Sequence, residues 1–164
     1  MTNNISLDLL TLLVLRANNA LTGDDLVAWA LRALEAGTES PNLITLAGLP
    51  TRSCRADAEP YFERALQELK IAVPSTELLL RQYVVSVAEQ IIDERIEVRL
   101  ALEEIHRYVI NPLNHPEDLS GWCYLWEGNS PDLSYPPPSQ SSIAKLAKEH
   151  AVRYLSQVKQ HNDE

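Results

Sequence analysis

The sequence predicts an all-α fold, an irregular bundle of seven or eight helices, and three observations carry that expectation. Apolar residues recur at three- and four-residue spacing through most of the chain. Glycine is scarce, with 5 in 164 residues, and most of the ten prolines stand between periodic segments rather than inside them. The hydrophobic share of 45% is enough to fill a core, which argues against global disorder. A chain of this length suits a single helical domain over 1–164, with room for two subassemblies at 1–72 and 75–160.

The first helix is expected over Ile5–Asn18. Leu9, Leu10, Leu12, Leu13 and Leu15 crowd more than one of its faces, which marks it as central. In the second, Thr22 caps the start and Asp25 completes a variant capping box. Leu26, Trp29, Ala30, Ala33 and Leu34 follow at helical spacing until Gly37 stops it. Trp29 shares the face of Leu26, Ala33 and Leu34, so it is expected to be buried against the first and fourth helices. Ser40 and Pro41 open a short third helix that Gly48 and Pro50 end. A fourth is expected over Asp57–Lys70, and a fifth, expected to be the longest, over Ser75–Asp93 with a stripe from Leu79 to Ile92. The sixth spans Val98–Ile110, with Arg99, Glu103 and Arg107 forming a solvated charge ladder. After Pro112 and Pro116 comes a short amphipathic piece, Glu117–Trp126. A proline-rich connection over 128–142 precedes the last helix at Ser141–Val158.

The stretch holding Trp29, Leu34, Gly37, Ser40 and Leu46-Ala47-Gly48-Leu49, followed by Ile91-Ile92-Asp93 and Ile105-His106, resembles uncharacterised small helical bacterial proteins over about residues 22–110. That resemblance implies a bacterial origin and a helical fold. It transfers no catalytic residue.

The net charge of −9 arises from 23 acidic and 14 basic side chains, spread evenly: residues 1–75, 76–115 and 116–164 each carry −3. Such a surface solubilises the chain and lacks the basic face that nucleic-acid binding needs. Ile5–Leu15 is too short to span a bilayer, and the N-terminus lacks a basic leader region, so the reading is a soluble cytoplasmic protein with no membrane partner. Cys54 and Cys123 are read as two free, mostly buried thiols.

Chemistry has few candidates. Glu103-x-x-His106 has the spacing of a carboxylate-bridged metal ligand pair, but no second Glu-x-x-His occurs to complete such a site. Cys54, His106, His115 and Cys123 are too scattered for zinc, and Cys123, between Trp122 and Tyr124, reads as an inert thiol rather than a partner of His115. Nucleophile-elbow, phosphate-loop and dinucleotide motifs are absent from the sequence. No metal, cofactor or catalytic residue is therefore expected. Trp122, Tyr124, Trp126 and Tyr135 fall within fourteen residues and are the interaction candidates, since aromatic side chains anchor interfaces. The commoner fate of such rings is to lock a loop and its neighbouring helix locally. The preferred function is non-catalytic protein–protein contact, of the kind an immunity-type or inhibitory binder makes, with the partner unknown. The alternatives are a metal-dependent or small-molecule-binding enzyme using Glu103 and His106, and a homo-oligomeric scaffold.

Overall fold

A computed structural model describes residues 5–129 and 140–162. Among the described residues there are eight α-helices: α1 Leu7–Ala17, α2 Gly23–Glu35, α3 Pro41–Ala47, α4 Arg55–Glu68, α5 Thr76–Ile92, α6 Val98–Ile105, α7 Ser120–Asn129 and α8 Gln140–Asn162. No strand occurs among the described residues. The fold is all-α, as the periodicity requires. The chain divides into two compact units, residues 1–79 and 80–164, with the division inside α5 about a turn beyond Pro74.

In the first unit α2, α3 and α4 pack on one another, and α1 lies on α2. Leu26, Ala30, Leu43, Leu46, Ala58, Phe62 and Ala65 are fully buried. The Trp29 ring meets Phe62 of α4 edge to face, with centroids 5.1 Å apart. The α2 capping box is present: the Thr22 hydroxyl accepts from the Asp25 amide, and the Asp25 carboxylate accepts from the Thr22 amide at 2.9 Å. Gly23 lies against the Ser53–Cys54 backbone so closely that a Cβ would overlap the Ser53 carbonyl. Asp24 accepts the Arg52 amide at 2.7 Å, holding that residue at φ +68°. Ion pairs fasten α1 to its neighbours: Asp8 in its first turn to Arg32 in the last turn of α2 at 2.8 Å, and Arg16 to Glu59 at 2.7 Å and to Glu63. These pairs are solvent-exposed in part, so they direct packing more than they stabilise it.

Cys54 departs from expectation. It is exposed, not buried, because it occupies the N-cap of α4, where its thiol donates to Asp57 at 3.0 Å. The fourth helix accordingly begins two residues before the expected Asp57.

Four α-helices end in the same hydrogen-bonded stop, in which the residue after the cap turns left-handed and its amide and the next reach back to orphan carbonyls, and the turn beyond the π turn repeats those hydrogen bonds. The pairs are Asn19→Arg16 with Ala20→Leu15, Gly37→Leu34 with Thr38→Ala33, and Lys70→Gln67 with Ile71→Leu66. Glu94→Ile91 with Arg95→Gln90 and Asn114→Asn111 with His115→Ile110 complete the set. The left-handed residue is glycine only once, at Gly37, with φ +83°.

In the second unit α7 packs on α6 and on α8. The α5 stripe is buried in this unit at Leu80, Tyr83, Val84, Val87, Ala88 and Ile91, while Ile92 is half-buried. It is not the longest helix, however: α8 has 23 residues against 17. On α8 the buried stripe is Ile143, Ala147, Ala151 and Tyr154, whereas Leu146 is exposed. The sixth helix is not regular throughout. It passes at His106–Ile110 into a π turn, closed by the Asn111 amide on the His106 carbonyl at 3.1 Å. Pro112 supplies the reason, because its ring would clash with the Tyr108 carbonyl in a regular α-helix, and a wider turn relieves that clash. The wider turn also breaks the expected charge ladder: Arg99 pairs with Glu103 at 3.8 Å, while Arg107 lies over the Tyr108 ring. The Tyr83 hydroxyl donates to Glu104 at 2.8 Å, and burial, then that carboxylate, push its pKa well above the ordinary value.

Two outcomes test this packing. Trp29→Ala removes a buried ring and its edge-to-face partner contact, and is expected to destabilise by roughly 3–5 kcal/mol in chemical denaturation. Lys70→Gly relieves an exposed left-handed residue and is expected to add roughly 0.5–1 kcal/mol by the same measurement.

Candidate functional site

Three of the four candidate aromatic residues, Trp122, Tyr124 and Trp126, lie on α7, which a 3-10 turn at Glu117–Leu119 introduces. A helix separates residues two apart by about 200°, so Trp122 and Tyr124 face opposite ways. Trp122 is fully buried and Tyr124 is 71% exposed. Trp122 packs edge-on against His150 (4.6 Å) and Tyr154 (5.8 Å) of α8. Trp126 is half-buried and stacks flat on His106 of the π turn, with centroids 3.5 Å apart and planes 4° from parallel. Tyr135 lies outside the described residues. Of the sequence candidates, then, Trp122 serves the α7–α8 packing, Trp126 serves the packing on the π turn, and Tyr124 projects outward.

A shallow depression of about 170 Å³ lies beside Tyr124, lined in part by His115, Pro116, Cys123 and Glu127. The Cys123 thiol donates to Glu127, one turn on, at 3.6 Å. Burial, then the adjacent Glu127 carboxylate, raise the thiol pKa, which keeps it protonated and weakly nucleophilic. Burial, then His115 at 6.0 Å between ring centroids, lower the pKa of His106, while Glu127 opposes them. The cluster thus presents a thiol and a neutral imidazole. Glu103, the other half of the Glu-x-x-His pair, is exposed and salt-bridged to Arg99, whereas His106 faces Trp126. Among the described residues, no three His, Cys, Asp or Glu side chains are grouped so as to hold a metal ion. No described helix is long and apolar enough to cross a membrane.

Two features of this region escape sequence reasoning. The His106–Trp126 stack joins residues twenty apart through a turn whose π geometry periodicity does not reveal. Gly121 is the second: a Cβ there would overlap the His150 imidazole, so α8 approaches α7 across a notch that only glycine leaves open. A glycine inside a helix is a signal of close approach, but nothing in the pattern names His150 as the neighbour.

No known protein family, curated protein or solved structure matches this chain.

The stack has a measurable worth. His106→Ala is expected to cost roughly 0.5–1.5 kcal/mol beyond the lost area, the range for a paired ring contact. It should also shift Trp126 fluorescence toward that of a solvated indole.

Proposed function

We propose that this protein acts without catalysis, by binding a partner protein through the outward face of α7. The observation that supports the reading is the exposure of Tyr124 on a helix whose other two aromatic rings are engaged within the fold. A tyrosine held out on a fixed helix gives up little entropy on binding, and aromatic anchors of this kind dominate interface energies. The adjoining depression offers space for one apolar side chain, with the Glu127 carboxylate at its edge. The net charge of −9 favours a partner whose contact surface is basic, and such complementarity speeds encounter and weakens with salt.

The test compares wild-type protein with Tyr124→Ala. The substitution removes no buried contact and is expected to leave stability within about 0.5 kcal/mol. It should weaken binding of a partner, purified and measured by calorimetry, by about 2 kcal/mol, the hot-spot scale. Unchanged affinity removes α7 from the interface. A Tyr124-dependent dimer in light scattering replaces the foreign partner with a second copy of this chain.

A further inference from the structure

The joint between α7 and α8 is built around a titratable ring where an aliphatic side chain would have served. His150 of α8 sits in the notch at Gly121, edge-on to the buried Trp122 and one turn before Tyr154. The notch has no room to spare, since even a methyl group on Gly121 would overlap the imidazole. The Trp122 indole N–H is buried with no hydrogen-bond acceptor among the described residues. Opening of the joint would bring water to this N–H.

We propose that this joint is a proton-sensitive latch: neutral His150, seated in the Gly121 notch, holds α7 and α8 together, and protonation of His150 releases them and uncovers Trp122.

The His150 ring is half-buried, and no carboxylate among the described residues pairs with it. Arg153, on the same helix, is a cation and opposes the charge, as does burial, the larger effect. The acidic groups of the neighbouring elements are committed elsewhere. Asp118 pairs with Arg81, Glu104 accepts from Tyr83, Glu103 pairs with Arg99, Glu127 accepts from Cys123 and Glu94 accepts from Lys148. Glu117 of the 3-10 turn and Lys145 and Glu149 of α8 are solvent-exposed. Burial, then His115, lower the pKa of His106 as well, but its other surroundings differ. It has Glu127 close enough to favour its charged form, and it lies flat on an indole face, which attracts a cation. Protonation there is compatible with the closed unit; protonation of His150 is not.

The direction in pH follows from linkage. His150 titrates below the ordinary histidine value in the closed state, whereas the released ring takes up a proton near about 6.5. The contribution of the neutral ring is thus complete above that pH. It falls away as the solution becomes more acidic, because the open state binds the proton first.

The full-length protein labelled with 5-fluorotryptophan gives one fluorine resonance for each of its three tryptophans, and His150 is followed in parallel by its ring-proton shift. Between pH 7.5 and 5 the Trp122 resonance is expected to move to the solvent-exposed position with the midpoint of His150. Exchange of the buried α8 amides should accelerate at least tenfold over the same range. His150→Gln, which cannot charge, should abolish the transition, and His106→Gln should leave it in place. A Trp122 resonance that stays fixed while His150 titrates overturns the latch, as does a transition of the same midpoint in His150→Gln. If that variant does not fold at neutral pH, the wild-type comparison of the two midpoints decides alone.

Discussion

The burial of Trp122 fixes the second unit. An indole is the largest side chain a helix can present. Once it is enclosed between α7 and the Tyr154 and His150 rings of α8, the rotation of α7 about its own axis is set. Everything else on that helix follows from the 100° step between residues. Tyr124 must point away, Trp126 must come partly back toward the neighbouring α6 side, and Cys123 and Glu127, one turn apart, must share an edge. The exposed tyrosine and the adjoining depression are thus consequences of one packing choice, not independent features.

Seating α7 involves two close approaches, and each is made by an uncommon local device. On the α8 side, Gly121 removes a side chain so that the His150 imidazole can enter. On the α6 side, Pro112 prevents the helix from closing regularly, and the resulting π turn carries His106, which lies flat against Trp126. A glycine and a proline, both poor residues for helix interiors, act here by changing the distance between helices. Histidine is the contacting partner on both sides of α7.

The first unit solves a different problem, how to reverse short helices tightly with little glycine. Its stops at Asn19, Gly37 and Lys70 satisfy the last carbonyls with main-chain amides, and two of the three accept the strain of a left-handed residue bearing a Cβ. Starts are satisfied by side chains instead: Thr22 and Ser40 each accept an amide three residues on. With these ends satisfied locally, the interior can be almost wholly apolar. Ser40 is the one polar side chain among the buried described residues.

The sequence by itself determined the helices, because the signals that specify them are local. Caps at Thr22 and Ser40, the stop at Gly37, the stripe from Leu79 to Ile91 and the burial of Trp29 all depend on residues within a few turns of one another. Once the segment is helical, the 100° step sets Trp122 and Tyr124 on opposite faces. What only the tertiary structure decided was which of those rings turned inward, the exposure of Cys54, the outward position of Leu146 and the π turn. The same holds for the pairing of His106 with Trp126 and of His150 with Gly121. These depend on which helices meet and how closely. That is settled by the fit of side chains distant in sequence, for which a hydrophobic period carries no information.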